Sequence, residues 1–112
     1  MFYSCRQLTN LVMFTNWDVS SLEYAREMFK GCSLTTLVGL ENWNMQAASN
    51  IRGMFAANQL TDIGAVSTWF NQANQLRTLQ NVFSENYQLN DISALRNWNV
   101  ASVTDFTKFL AY

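Results

Sequence analysis

The side chains that could do chemistry are few. Cys5 and Cys32 each stand three residues after a Phe, and Asp62 and Asp91 each stand two residues after a Leu. A thiol nucleophile needs a base to ionise it, and the chain has no His. Paired carboxylates can cleave a glycosidic bond when a cleft raises the pKa of one of them. They can also contribute to a calcium site, which takes about six to eight oxygen ligands. Two aspartates without a ligand loop fall short of that number. The four Trp side chains could form an aromatic platform, whereas Arg26 and Arg52, with Glu23, Glu27 and Lys108 nearby, read as a solvated face. No catalytic, cofactor-binding or metal-ligating residues are therefore assigned, and no cofactor is expected.

Composition narrows the field further. The chain has 112 residues, of which 49% are apolar, 14% aromatic and 13% charged. A globular domain ordinarily carries about 25% charged residues, so Asn, Gln, Ser and Thr must supply much of this surface. A formal net charge of −1 with seven Lys and Arg gives no cationic footprint for a phosphate backbone, so no nucleic-acid partner is expected. No apolar run approaches the length of a membrane span.

The elements that must position these residues emerge when the chain is aligned on itself. Trp recurs at positions 17, 43, 69 and 98, and Phe2, Phe29, Phe55, Phe83 and Leu110 form a second series. Between them run Leu8, Leu34, Leu60 and Leu89, then Leu11, Leu37, Ile63 and Ile92, then Phe14, Leu40, Val66 and Leu95. A fixed period of this length marks a repeat in which no unit buries its apolar face alone. The units fall at about 3–30, 31–56, 57–84 and 85–112, forming a single repeat domain.

Two patterns alternate within a unit. The Leu-x-x-Leu segment, with its Thr residues, reads as a short strand. After the Trp, Leu22, Ala25, Met28 and Phe29 form a stripe matched by Val103, Phe106, Phe109 and Leu110, which reads as a short amphipathic helix. Ser20 and Glu23 have capping-box spacing, and Gly31 suits a helix exit. The expected fold class is therefore α/β, a solenoid of about four strand-helix units. A short parallel sheet would form its inner face and helices its outer face.

The segments MFKGCSLTTLVGLENWN from Met28 and LNDISALRNWNVASVTDFTKFL from Leu89 resemble the BspA-type leucine-rich-repeat family of bacterial surface proteins. Met-Phe, Gly-Cys, Leu-Thr and Asn-Trp stand in that family's order and register. Val82 and Phe109 replace Met, Phe70 stands where Asp or Asn is usual, and the third unit is lengthened. The resemblance implies a leucine-rich-repeat solenoid used for recognition at the cell surface or in secreted form, often in adhesion or host-protein binding. It carries over no catalytic residue and names no ligand. The start Met-Phe-Tyr-Ser-Cys has no signal-peptide pattern, so a cytoplasmic location also stays open.

Strand alternation then directs Thr9, Thr35, Thr61 and Asn90 outward, with Asn10, Thr36, Asp62 and Asp91 beside them. These eight residues are the expected partner-binding face, for a protein or glycan ligand. Cys5, Cys32, Asn58 and Asn86 read as a buried ladder, because Asn can replace the hydrogen bond of Cys but not its sulfur chemistry. The Trp column reads as core. Apolar residues at both ends of the array, without capping units, suggest a homodimer through those ends. The expected function is a non-enzymatic binding surface; the alternative is a small intracellular repeat protein that self-assembles through its uncapped ends.

Overall fold

Successive apolar residues in this chain are three apart, and the backbone follows that spacing. A computed structural model describes residues 2–110. In it the N–H of one residue of these columns repeatedly donates to the carbonyl three residues before it. Leu8 donates to Cys5, Phe14 to Leu11, Trp17 to Phe14, Leu22 to Val19 and Met28 to Ala25, at 2.8–3.3 Å. The same bonds return as Leu40 to Leu37, Trp43 to Leu40, Val66 to Ile63 and Trp69 to Val66. Each unit is thus a run of tight turns whose corners point inward. Three of these turns become short 3₁₀ helices, Val12–Phe14, Gly64–Val66 and Ser93–Leu95.

The expected α/β leucine-rich-repeat solenoid does not form. Among the described residues there is no α-helix and no sheet, only isolated parallel bridges inside a compact body of 34 × 30 × 22 Å. The segment expected as the first helix shows why. A helix would send every N–H back four residues. Here Met28 and Lys30 turn back three residues, to Ala25 and Glu27, while Ala25, Glu27, Phe29 and Gly31 donate to Asn50, Arg52, Met54 and Ala56 of the next unit. Alternate N–H groups therefore leave the unit. The parallel bridges Tyr24↔Asn50, Asn50↔Thr78 and Thr78↔Asp105 begin this column, whereas the segments expected as strands share the single bridge Thr36↔Asp62.

Asn, Asp and Thr side chains complete the case against helix. Ser20 does not cap one; its N–H and hydroxyl both bind Asp18 Oδ1, at 3.0 and 2.6 Å. Asn44, Asn50, Asn99 and Asp105 likewise accept the N–H two residues on. Such local bonds give the backbone an alternative to helix and fix it in turns.

Two columns of left-handed residues let the chain switch between turning back and reaching forward. One is Glu27, Gly53, Asn81 and Lys108, with φ of 54–63°; the other is Ser4, Gly31, Ala57 and Glu85, with φ of 57–74°. Gly31 suits such a residue rather than a helix exit.

The units pack as stacked coils. Phe2, Phe29, Phe55 and Phe83 lie nearly parallel, with centroids 5.6, 6.1 and 5.8 Å apart. Trp43, Trp69 and Trp98 are buried, and their indole Nε1–H groups donate to the carbonyls of Phe14, Leu40 and Val66 in the preceding coil at 2.8–3.0 Å. The reading of the Trp column as core holds for these three, but Trp17 is exposed. The lengthened third unit absorbs its extra residues by folding Phe70 at φ 56° into the core, against Trp69 and Trp98.

The ladder read from Cys5, Cys32, Asn58 and Asn86 is present in the last three. Asn58 Nδ2 donates to the carbonyls of Phe29, Phe55 and Ala56, and its Oδ1 accepts from Leu34 N–H. Fully buried Asn86 repeats the pattern with Phe55, Phe83, Ser84 and Leu60. Cys32 donates through Sγ to Phe2 O, while Cys5 is exposed. Met1, Ala111 and Tyr112, among the apolar residues at the ends expected to form contacts, lie outside the described residues.

Two stability predictions follow from these columns. Asn86→Leu strands buried carbonyls and an N–H, each costing about 1–3 kcal/mol. Thermal melting should fall by about 10 °C or more, whereas exposed Asn90→Leu should leave it nearly unchanged; an unaltered melt for Asn86→Leu would refute the ladder's role. Ala57→Gly relieves a left-handed non-glycine residue and should stabilise by about 1 kcal/mol, read as a rise in Tm.

Candidate functional site

The Asp62 and Asp91 columns owe their position to turn chemistry. Asn10, Thr36, Asp62 and Asp91 each accept the N–H two residues ahead, from Val12, Val38, Gly64 and Ser93, at 2.8–3.3 Å. In three coils this acceptor leads directly into the 3₁₀ turn. One oxygen of each aspartate, Oδ1, is thereby engaged in the backbone.

Of the expected partner-binding residues, Thr9, Asn10, Thr35, Thr61, Asp62, Asn90 and Asp91 are exposed, and Thr36 is half-buried. Thr61 N–H donates to Thr35 O at 3.0 Å, which brings these two together in register beside the Thr36↔Asp62 bridge. Asp62 and Asp91 then face one open groove of about 430 Å³ between the third and fourth coils. Thr61, Gly64 and Ser67 of the third coil line it, together with Ser93, Arg96 and Asn97 of the fourth. Thr9, Asn10, Thr35, Thr36 and Asn90 do not line it.

Sequence reasoning missed Arg96, Ser67 and Asn97 as groove residues. Their signal was weak. Position 96 corresponds to Thr15, Glu41 and Ser67 in the other units, a variable column just after the third apolar residue. Its variability was the one available hint that it faces outward.

The electrostatics suit hydrogen bonding more than proton transfer. The Ser93 backbone N–H, followed by its hydroxyl, holds the Asp91 carboxyl below its ordinary value. The Ser20 hydroxyl and N–H do the same for Asp18, and the Thr107 hydroxyl and N–H for Asp105. Asp91 is thus ionised at neutral pH, opposite to what a glycosidase acid requires. Burial pushes the Cys32 thiol up, which disfavours the thiolate. Among the described residues no group of three or more Cys, Asp or Glu is placed to hold a metal ion. No helix among them is long and apolar enough to cross a membrane.

The fold and groove define a tandem-repeat protein, a stack of turn-built coils with a polar groove between its third and fourth coils. The sequence model of a family described as Mycoplasma protein of unknown function, DUF285, matches residues 1–70 and again 27–112. The chain belongs to that family. The two matches begin one repeat apart, as a repeated unit allows. No curated protein and no solved structure matches the chain.

The lowered carboxyls make acid stability a direct test. Because Asp18, Asp91 and Asp105 have folded-state values below the ordinary one, ionisation favours the folded form above the unfolded value of about 3.9. That contribution is lost as pH falls through the lowered values. Tm should therefore hold above about pH 5 and fall below about pH 4. Asp18→Asn, Asp91→Asn and Asp105→Asn combined keep the turn acceptors and should give a shallower fall; equal acid sensitivity would show that these turns are not its source.

Proposed function

We propose that this protein is a non-enzymatic binding module that recognises a protein or glycan partner through the face carrying Thr61, Asp62 and Asp91. The observation that carries this reading is the polar groove between two coils, where two exposed carboxylates, Arg96 and several hydroxyl and amide groups converge. A polar recess with donors and acceptors fixed on a hydrogen-bonded scaffold can orient hydroxyl-rich or basic ligands. Arg96 supplies donors, and the second oxygen of each aspartate supplies an acceptor.

The non-enzymatic part rests on chemistry. Asp91 is held ionised, and no His stands near to activate a hydroxyl or thiol. The resemblance of the repeats to BspA-type bacterial surface proteins supports a role in adhesion or host and cell-surface interaction, with the protein displayed or secreted. That part of the reading concerns use and location; it does not extend to the fold.

A glycan array and a panel of basic peptides provide the ligand search. Thr61→Arg with Asp62→Arg should abolish binding of any ligand so found, while Tm shifts by only the small amount usual for exposed positions, equivalent to about 0.5 kcal/mol each. Retained binding by the folded double variant would move the site to another face.

A further inference from the structure

The hydrogen bonds that join the first and second coils set two arginines side by side. Ala25 N–H donates to Asn50 O at 2.9 Å and Glu27 N–H to Arg52 O at 2.8 Å, beside the Tyr24↔Asn50 bridge. That register puts Arg26 level with Arg52 one coil away, where the stacked Phe29 and Phe55 rings give the step as 6.1 Å. Both side chains are exposed, and with Glu27 they line a recess of about 290 Å³. Like charges set directly opposite each other on neighbouring backbone segments are unfavourable, so a pair in this register calls for a counter-charge. The described residues do not supply one. Neither guanidinium makes a hydrogen bond or an ion pair with any of them. The acids nearest in sequence are placed otherwise: Glu27 Oε2 holds Lys30 Nζ at 3.1 Å, and Glu23 lines a different recess with Ser20, Ser49 and Gln75. Asp105 stands two coils beyond Arg52, with its Oδ1 on Thr107 N–H. Arg77, by contrast, donates to the carbonyls of Gln75 and Leu76.

We infer that Arg26 and Arg52 bind a tetrahedral oxyanion, a phosphate or sulfate group, between their two guanidinium forks. Charge-assisted N–H···O bonds of about 2.7–2.9 Å from either side let one such group bridge side chains a coil apart. Its several oxygens match donors that come as planar pairs. A carboxylate, with two oxygens, fills one fork only. The recess sets two cations against Glu27, whose carboxylate Lys30 already engages, whereas the Asp62 and Asp91 groove would repel the same ligand. Two guanidiniums suit a single oxyanion group, not the run of phosphates along a nucleic acid. Tyr24, 63% exposed, shares the outward side of the ladder with Arg26, since Ala25 between them is buried. Its ring can take the organic part of an ester.

NMR titration of the full chain with inorganic phosphate and with sulfate, each against chloride at equal ionic strength, tests this. Millimolar concentrations stay below the range where these salts stabilise proteins in general. Both oxyanions should shift the Arg26 and Arg52 Nε–H resonances along saturating curves, and chloride should not. Arg26→Gln and Arg52→Gln, at exposed positions, should melt nearly as the unaltered chain does, and each should weaken phosphate binding by about tenfold or more. Arg77→Gln removes the same charge from an arginine already bonded to carbonyls and should leave phosphate binding unchanged. Phenyl phosphate separates the sources of the group. Binding tighter than that of inorganic phosphate, and lost in Tyr24→Ser, assigns it to an ester; equal binding assigns it to the free ion. Shifts no larger than those from chloride, or a phosphate response that survives both Gln substitutions together, would overturn the inference.

Discussion

The structure depends on how each backbone N–H divides between two destinations. One set turns back three residues and makes the tight corners that point core side chains inward. The other set crosses to the next coil and joins the stack. Left-handed residues make the alternation possible, because they reorient successive peptides so that neighbouring N–H groups face different partners. Without that division the segment from Ala25 to Gly31 would have no reason to avoid a helix. With it, neither helix nor continuous sheet can form, since a helix keeps all its N–H groups and a sheet strand does not turn every three residues.

Side-chain amides extend the same accounting where the backbone cannot close it. Asn58 and Asn86 satisfy carbonyls of two coils and an N–H of a third segment. The buried Trp side chains add a bond from each coil to the one before. Packing and hydrogen bonding are therefore coupled, because the Phe rings stack only when these bonds fix the coils in register. The candidate groove is a by-product of that register. Asp62 and Asp91 start equivalent turns in adjacent coils, so the ladder places their carboxylates on either side of one recess. Their first role is to hold a turn, and the exposed remainder of each is what a ligand could use.

Much of the interior was legible in the sequence. The Leu and Phe columns are core or packed against it except at Ile92, the Trp column is core from Trp43 onward, and the Cys and Asn column is a buried ladder from Cys32 onward, because burial follows apolar spacing and Asn has both donor and acceptor. The elements assigned to those columns were misread. Leu22, Ala25 and Met28 are three apart, a spacing shared by one face of a helix and by consecutive tight turns. Ser20 with Glu23 looks like a capping box until Asp18 takes the Ser20 donors. Both readings bury the same residues, so apolar spacing could not separate them. The groove was half legible: Asp62 and Asp91 stood in an outward column, but Arg96 is identified only by its neighbours in space.

The sequence by itself determined the repeat, its length, the residues that fill the core and the scarcity of groups for catalysis. These depend on residue type and interval, which are local properties. Tertiary structure decided where the N–H groups go, and hence that the units are coils of turns instead of strands and helices. It also decided which exposed residues share a recess. Those outcomes rest on pairings between residues about one repeat apart, and a bond of that range leaves no mark on the local pattern of either partner.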